Sequence, residues 1–289
     1  GLILGAYVLS MIRGEHQSKG GSSPIIRFIL GFFVMIGALM FLGCPIRMIL
    51  RLGGGDLNAL FGIAGFAGGI GFGTIFLKKG YSLQRTYALS KLESAMMPAI
   101  QVGLLVLVVT APAFIFFSQK GPGAMHAPWL ISLAAGLVVG GLSQFSRLCT
   151  VGGFRDLFLF KKSILIFGYL AVLIGVFVVN ISFGNFHLGF ENQPIAHTDG
   201  LWNFLGMALA GFCSVLLGGC PLRQLIMTGE GNSDSAVTVL GLGAGAAFAH
   251  NFGLAASGAG PTLNGEIAVG VGFVVALIIA ILNTKRANA

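Results

Sequence analysis

The sequence predicts an all-α polytopic membrane protein, built as inverted five-helix repeats with short re-entrant or broken helices. Three observations carry that reading. Of the 289 residues, 55% are hydrophobic and 9% charged, with a mean hydropathy of +0.91, whereas soluble domains carry about 25% charged residues. The charges gather in short clusters between apolar runs, as loops between spanning helices require. A Cys-Pro-x-Arg segment also occurs twice, each time between two apolar runs. A β-barrel would instead show alternating segments of about ten residues. The 46 glycines suit helices that pack closely in lipid.

Taken in order, the apolar segments are 1–12, 25–43, 57–77, 97–117, 128–146, 164–182, 201–218, 235–256 and 266–283. The first is too short to span, since a crossing helix needs about 20 residues. It opens at Gly1, inside an apolar run, and predicts that the native protein extends upstream. Three short stretches lie between spans without joining them: 44–54, 147–160 and 219–230. Each holds one cysteine and at least one arginine.

The loops alternate in charge. Arg13, Lys19 and Arg27, then Lys78, Lys79, Arg85 and Lys91, then Arg155, Lys161 and Lys162 mark one side, with Lys285 and Arg286 in the tail. The opposite loops hold Lys120 over 118–127 and no basic residue over 183–200. Basic loops stay in the cytoplasm, which predicts a multi-pass protein with a cytoplasmic C-terminus. The net charge of +8 is accounted for by these loops and does not indicate a nucleic-acid partner.

Cys220 lies 176 positions after Cys44. At that offset Pro45 meets Pro221, Arg47 meets Arg223, Gly53 meets Gly229, Gly55 meets Gly231, and Asn58 meets Asp234. Gly65 then meets Gly241, and Gly69 meets Gly245. The crossing count runs the two copies in opposite directions, giving a first inverted repeat over 1–127 and a second over 128–289 in one integral membrane domain. Inverted repeats with broken segments near the midplane are a transporter architecture. Cys149 precedes Cys220 by 71 positions. The same spacing before Cys44 falls upstream of Gly1, so the first repeat is expected to lack one span and one cysteine loop.

The cysteine segments carry the chemistry. Non-helical backbone at membrane depth is tolerated where it is buried in protein or lines a water-filled cavity. Pro45 suits the first turn of a short helix and the Gly53–Gly55 run its end. Such a helix aims free N–H groups and its positive end at Cys44, a setting that favours an anion. Arg47 lies about one turn along the same helix. Cys220, Arg223 and Gln224 repeat the arrangement. The candidate substrate-binding set is therefore Cys44, Arg47, Cys149, Cys220, Arg223 and Gln224.

Plainer readings stand beside this one. The arginines can be interfacial anchors, the glycine breaks packing points, and Cys213 a small packing residue. Arg155 and Asp156 either pair with other groups or end the span. Glu230 and Asp234 cap, pair with Arg223, or face the cytoplasm. His250 either lines a pathway or is a buried, hydrogen-bonded residue. No C-x₂-C or spaced histidines suggest a metal, no P-loop a nucleotide, and no triad or paired carboxylates a hydrolase. No cofactor is expected.

The strings "FLGCPIRMILRLGGGDLNAL", "RLCTVGGFRD" and "VLLGGCPLRQLIMTGEGNSDSAVTVLG" resemble the YeeE/YedE family of sulfur-compound transporters. They are most similar to its YedE-related branch associated with selenium metabolism. The resemblance runs over nearly the whole chain. It implies an hourglass-like inverted-repeat protein of the inner membrane that moves thiosulfate-like anions past a line of cysteines. Matched by motif, those are Cys44, Cys149 and Cys220. For this branch it implies a selenium transporter, and an N-terminal cysteine segment ahead of the region where this chain begins. The expected function is thus transport of a small sulfur- or selenium-containing anion, without enzymatic activity. The alternative is a membrane-embedded sulfur or selenium transferase with covalent cysteine intermediates. A third reading is a membrane protein with a structural or assembly role and no ligand. The expected partners are the anion, the lipid bilayer and a small cytoplasmic sulfur or selenium carrier protein, with no nucleic acid.

Overall fold

The computed structural model describes residues 1–111, 114, 116, 119, 124, 126–162 and 164–285. Lys120 and Arg286, used above for orientation, lie outside them. The helices are α1 (Leu2–Ile12), α2 (Pro24–Met40), α3 (Pro45–Gly53), α4 (Asn58–Lys78), α5 (Lys91–Thr110) and α6 (Trp129–Ser146), then α7 (Thr150–Phe160), α8 (Leu165–Ser182), α9 (Gly200–Leu217), α10 (Pro221–Gly229), α11 (Ser233–Asn251) and α12 (Leu263–Lys285). A two-stranded antiparallel ribbon joins β1 (Lys19–Gly20) to β2 (Tyr87–Ala88). The protein is thus an all-α polytopic membrane protein. Seven stretches among the described residues are long and apolar enough to cross a membrane: Pro24–Gly53, Asn58–Lys78, Lys91–Thr110, Trp129–Phe160, Leu165–Ser182, Gly200–Gly229 and Leu263–Thr284.

Two elements differ from the sequence expectation. The segment expected from 97 begins at Lys91, because Ser90 accepts a hydrogen bond from the Glu93 N–H at 3.3 Å and donates to the Glu93 carboxylate at 3.2 Å. This serine cap nucleates the helix ahead of its apolar part. Helix α11 forms where the 235–256 span was expected, but it is not among the seven apolar stretches. Its Ser, Asp, Thr and Gly content dilutes the hydropathy. His250, expected in a pathway or buried, is exposed on this helix.

The chain divides into two compact units. The first is Gly1–Ser22, Arg85–Arg147 and Gln224–Ala236. In it α1 packs along α6 so closely that a Cβ at Gly5 would stand 2.2 Å from the Leu137 carbonyl oxygen. Asp234 is buried and accepts hydrogen bonds from the Gly21 N–H at 2.8 Å and the Ser22 hydroxyl at 2.6 Å. Arg147 binds Glu15 at 2.7 Å and Glu230 at 2.9 Å. These two acids of the second Gly-rich stretch are therefore structural ties: Glu230 bonds to Arg147, and Asp234 anchors the 21–22 turn.

The second unit is Ser23–Gln84, Leu148–Arg223 and Val237–Ala289. Helix α9 is its centre: every residue from Gly206 to Leu217 is buried, with α2, α4 and α12 packed around it. Cys213 is fully buried there among Leu209, Phe212 and Leu216, as a packing residue should be. Arg155 and Asp156 pair with each other at 2.8 Å.

The offset of 176 reappears as geometry. Helices α3 and α10 have matching bounds at that spacing, and Gly55 and Gly231 end them with φ of 99° and 98°. A Cβ at Gly65 would stand 2.0 Å from the Phe204 carbonyl, and one at Gly241 2.2 Å from the Phe28 carbonyl. Gly69 meets Ala208 and Gly245 meets Phe32 in the same way. Each contact becomes the other when the offset is applied: α4 meets α9 as α11 meets α2.

Candidate functional site

Three sulfurs sit at the N-termini of three short helices, all in the second unit. Cys44 is the N-cap of α3, extended at φ −76° and ψ 171°, with Pro45 behind it. The N–H groups of Ile46 and Arg47 face its sulfur without closing a cap hydrogen bond. Cys149 is the N-cap of α7, and its sulfur accepts from the Gly152 N–H at 3.3 Å. Cys220 precedes Pro221 and α10, and its sulfur faces the Arg223 N–H. In each case proline or small residues leave the first turn open. Free N–H groups and the helix dipole then point at the thiol, as in an anion site.

The fold brings two of these cysteines into contact. The thiols of Cys149 and Cys220 face each other, at 7% and 1% exposure in one apolar cluster with Met48, Phe66 and Met207. Cys44 is partly buried and within electrostatic reach of Cys220. All four cysteines are free thiols. Arg223 is half-buried on α10, whereas Gln224, buried one residue on, belongs to the first unit.

Arg47 folds its stem over Gly43, where a Cβ would stand 2.8 Å from the Arg47 Cδ. It lines a cavity of about 400 Å³ with Arg51, Asp56, Asn180, His187 and Gln193. Arg51 is held from three sides. Its Nε donates to Asp56 at 2.6 Å, its Nη1 donates to the Phe41 carbonyl, and its guanidinium lies 4.0 Å from the Phe41 ring centroid. Arg47 Nε and Arg51 Nη2 are buried with no hydrogen-bond partner. Two guanidinium groups with unused donors at a polar cavity make an anion-attracting mouth. Sequence reasoning passed over Arg51 and Asp56 as site residues, although their five-residue spacing stands in "FLGCPIRMILRLGGGDLNAL". It also passed over Asn180, His187 and Gln193, which no sequence pattern ties to Arg47.

Close by, His197 is 2% exposed, and its Nε2–H donates to the Met40 carbonyl at 2.8 Å. Burial holds its pKa below the ordinary 6.5. The unfolded chain therefore takes up this proton before the folded protein does, and the stability present above pH 6.5 is lost as pH falls below it. The melting temperature in detergent is expected to fall from pH 7 to pH 5, and His197→Gln, whose amide can also donate to Met40, should flatten that dependence. Equal slopes for the two proteins would remove His197 as the cause.

The family model for sulphur transport matches residues 145–284. Over that stretch the chain is similar to sulphur-transport proteins. The resemblance carried by "RLCTVGGFRD" and "GGCPLRQLIMTGEGNSD" is borne out at the level of the family. The YeeE/YedE match contains Cys149, Cys220, Arg223 and Gln224, and Cys44 and Arg47 are tied to it through the 176-residue offset. Comparison with curated proteins returns no match. Family and helices together support a multi-pass carrier of a sulfur compound with a small anionic substrate.

Proposed function

We propose that this protein carries a small sulfur- or selenium-containing anion across the inner membrane, in the manner of a thiosulfate transporter, by way of Cys44, Cys149 and Cys220. The cavity at Arg47 and Arg51 collects the anion on the outer side. Cys44 receives its terminal sulfur or selenium, and the Cys149–Cys220 pair passes it inward, with Arg223 and Gln224 further along α10. Thiols are weak S–H donors, so each station holds the ligand loosely enough for it to leave, as conduction requires. In this reading the C-terminus is cytoplasmic, a small sulfur or selenium carrier receives the product, and 1–127 and 128–289 are inverted repeats. The exchanged contacts of Gly65 with Phe204 and Gly241 with Phe28 support that duplication.

The observation that carries the proposal is the thiol pair at two helix N-termini inside the sulphur-transport match. The test is uptake of radiolabelled thiosulfate and selenium compounds by cells lacking their own carriers and producing the full-length protein. Cysteine-dependent uptake of one compound establishes the transporter and its substrate together. No uptake with the protein present in the membrane overturns the proposal in favour of the sulfur or selenium transferase. That enzyme would show a labelled cysteine adduct that survives denaturation and is released by reductant.

A further inference from the structure

Helix α8 is open along almost its whole length, and Tyr169 is its one buried residue. The ring is 6% exposed, packs edge-on against Phe154 at 5.8 Å, and shares the apolar cluster of Cys149 and Cys220. The hydroxyl is buried and has no hydrogen-bond partner. A second hydroxyl repeats the situation. Thr150 follows Cys149 at 1% exposure, and its Oγ1 is buried and faces the Cys220 sulfur without closing a hydrogen bond.

Buried hydroxyls without partners are rare in native folds, because the lost hydrogen bond to water is not replaced. Phenylalanine and valine would fill the same two spaces without that penalty. The unused donors are therefore explained by a group that is present only during function. Both are adjacent to the same thiol pair, so that group occupies the site where the two sulfurs meet.

We propose that Tyr169 and Thr150 are substrate-binding residues of the inner cysteine station, donating their hydroxyl hydrogens to the oxygens of the anion while its terminal sulfur or selenium contacts Cys149 and Cys220. The inference rests on the transport reading above and narrows its substrate class. A hard oxygen end and a soft chalcogen end are both needed, as in thiosulfate or selenosulfate. A hydrosulfide lacks the oxygens, and a sulfate lacks the soft end.

The test is the concentration dependence of labelled thiosulfate and selenosulfate uptake for wild type, Tyr169→Phe and Thr150→Val, with thermal melting of each full-length protein in detergent. Each substitution is expected to raise the half-saturating concentration about three- to tenfold, the worth of one neutral hydrogen bond, with an unchanged or higher melting temperature. The rise in melting temperature that thiosulfate or selenosulfate induces in wild type should shrink in both variants. Half-saturation equal to wild type overturns the inference while leaving transport intact. So does a lower melting temperature with unchanged half-saturation, which makes Tyr169 a packing residue. Wild type that neither takes up nor is stabilised by either anion overturns the transport reading and this inference together.

Discussion

Cys220→Ala reduces uptake of the transported anion to background while leaving the protein folded. The thiol is 1% exposed, faces Cys149, and is set at the start of α10. Alanine keeps the backbone and most of the volume, so the expected cost in stability is small, about 1 kcal/mol by analogy with the loss of one methylene-sized group. What disappears is the soft contact at the proposed inner station and one of its donors. Cys213→Ala is the matched control. That thiol is equally buried, on α9, but it packs against Leu209 and Phe212 rather than against another sulfur. Uptake by the Cys213 variant should stay near wild type. Uptake by the Cys220 variant at the wild-type rate, with equal amounts of protein in the membrane, would sink the cysteine pathway.

The second large effect concerns stability. Arg51 and Asp56 form an ion pair at 2.6 Å with side chains 5% and 3% exposed, and Asp56 also accepts from the Asn58 N–H and side-chain amide at 2.9 Å each. Removing the carboxylate leaves a guanidinium buried with its main partner gone. Breaking one side of such a pair costs about 3–5 kcal/mol, which lowers the melting temperature of a protein of this size by roughly 6–20 °C. Asp56→Ala should therefore be strongly destabilised in a detergent melt. The paired replacement Arg51→Met with Asp56→Leu should recover most of the loss, because well-packed apolar residues replace buried ion pairs at little cost. It should still impair uptake, since one of the two guanidinium groups has left the mouth cavity. A wild-type melting temperature for Asp56→Ala would show that the pair does not hold the end of α3.

The two results would separate roles that the sequence blends. In "GCPIRMILRLGGGD" two arginines stand four residues apart and look alike as anchors or anion binders. Only the fold divides them. Arg51 turns inward to Asp56 and Phe41, while Arg47 leans over Gly43 into the cavity. Asp234, equivalent to Asn58 at the repeat offset, was read as a cap, an arginine partner or a free loop acid, and it instead gathers the N–H groups of residues 21 and 22. No local pattern signals that partner, which lies 212 residues away.

Hydropathy, glycine and proline act through near neighbours, and so the sequence by itself determined most of the spans, the three breaks and the short helices that follow them. The bounds of α3 and α10, set by Pro45 and Pro221 at one end and by the glycines at the other, were readable to within a residue or two. The 176-residue offset shared by α3 and α10 was readable as well, because an offset is a property of the chain. Tertiary structure alone decided which thiols meet, that Tyr169 is the buried residue of an otherwise open helix, and that Asn180, His187 and Gln193 join Arg47 at one cavity. Those outcomes depend on packing between segments dozens to more than a hundred residues apart. There the contacts are set by the shape of close-packed helices rather than by the residues beside them in sequence.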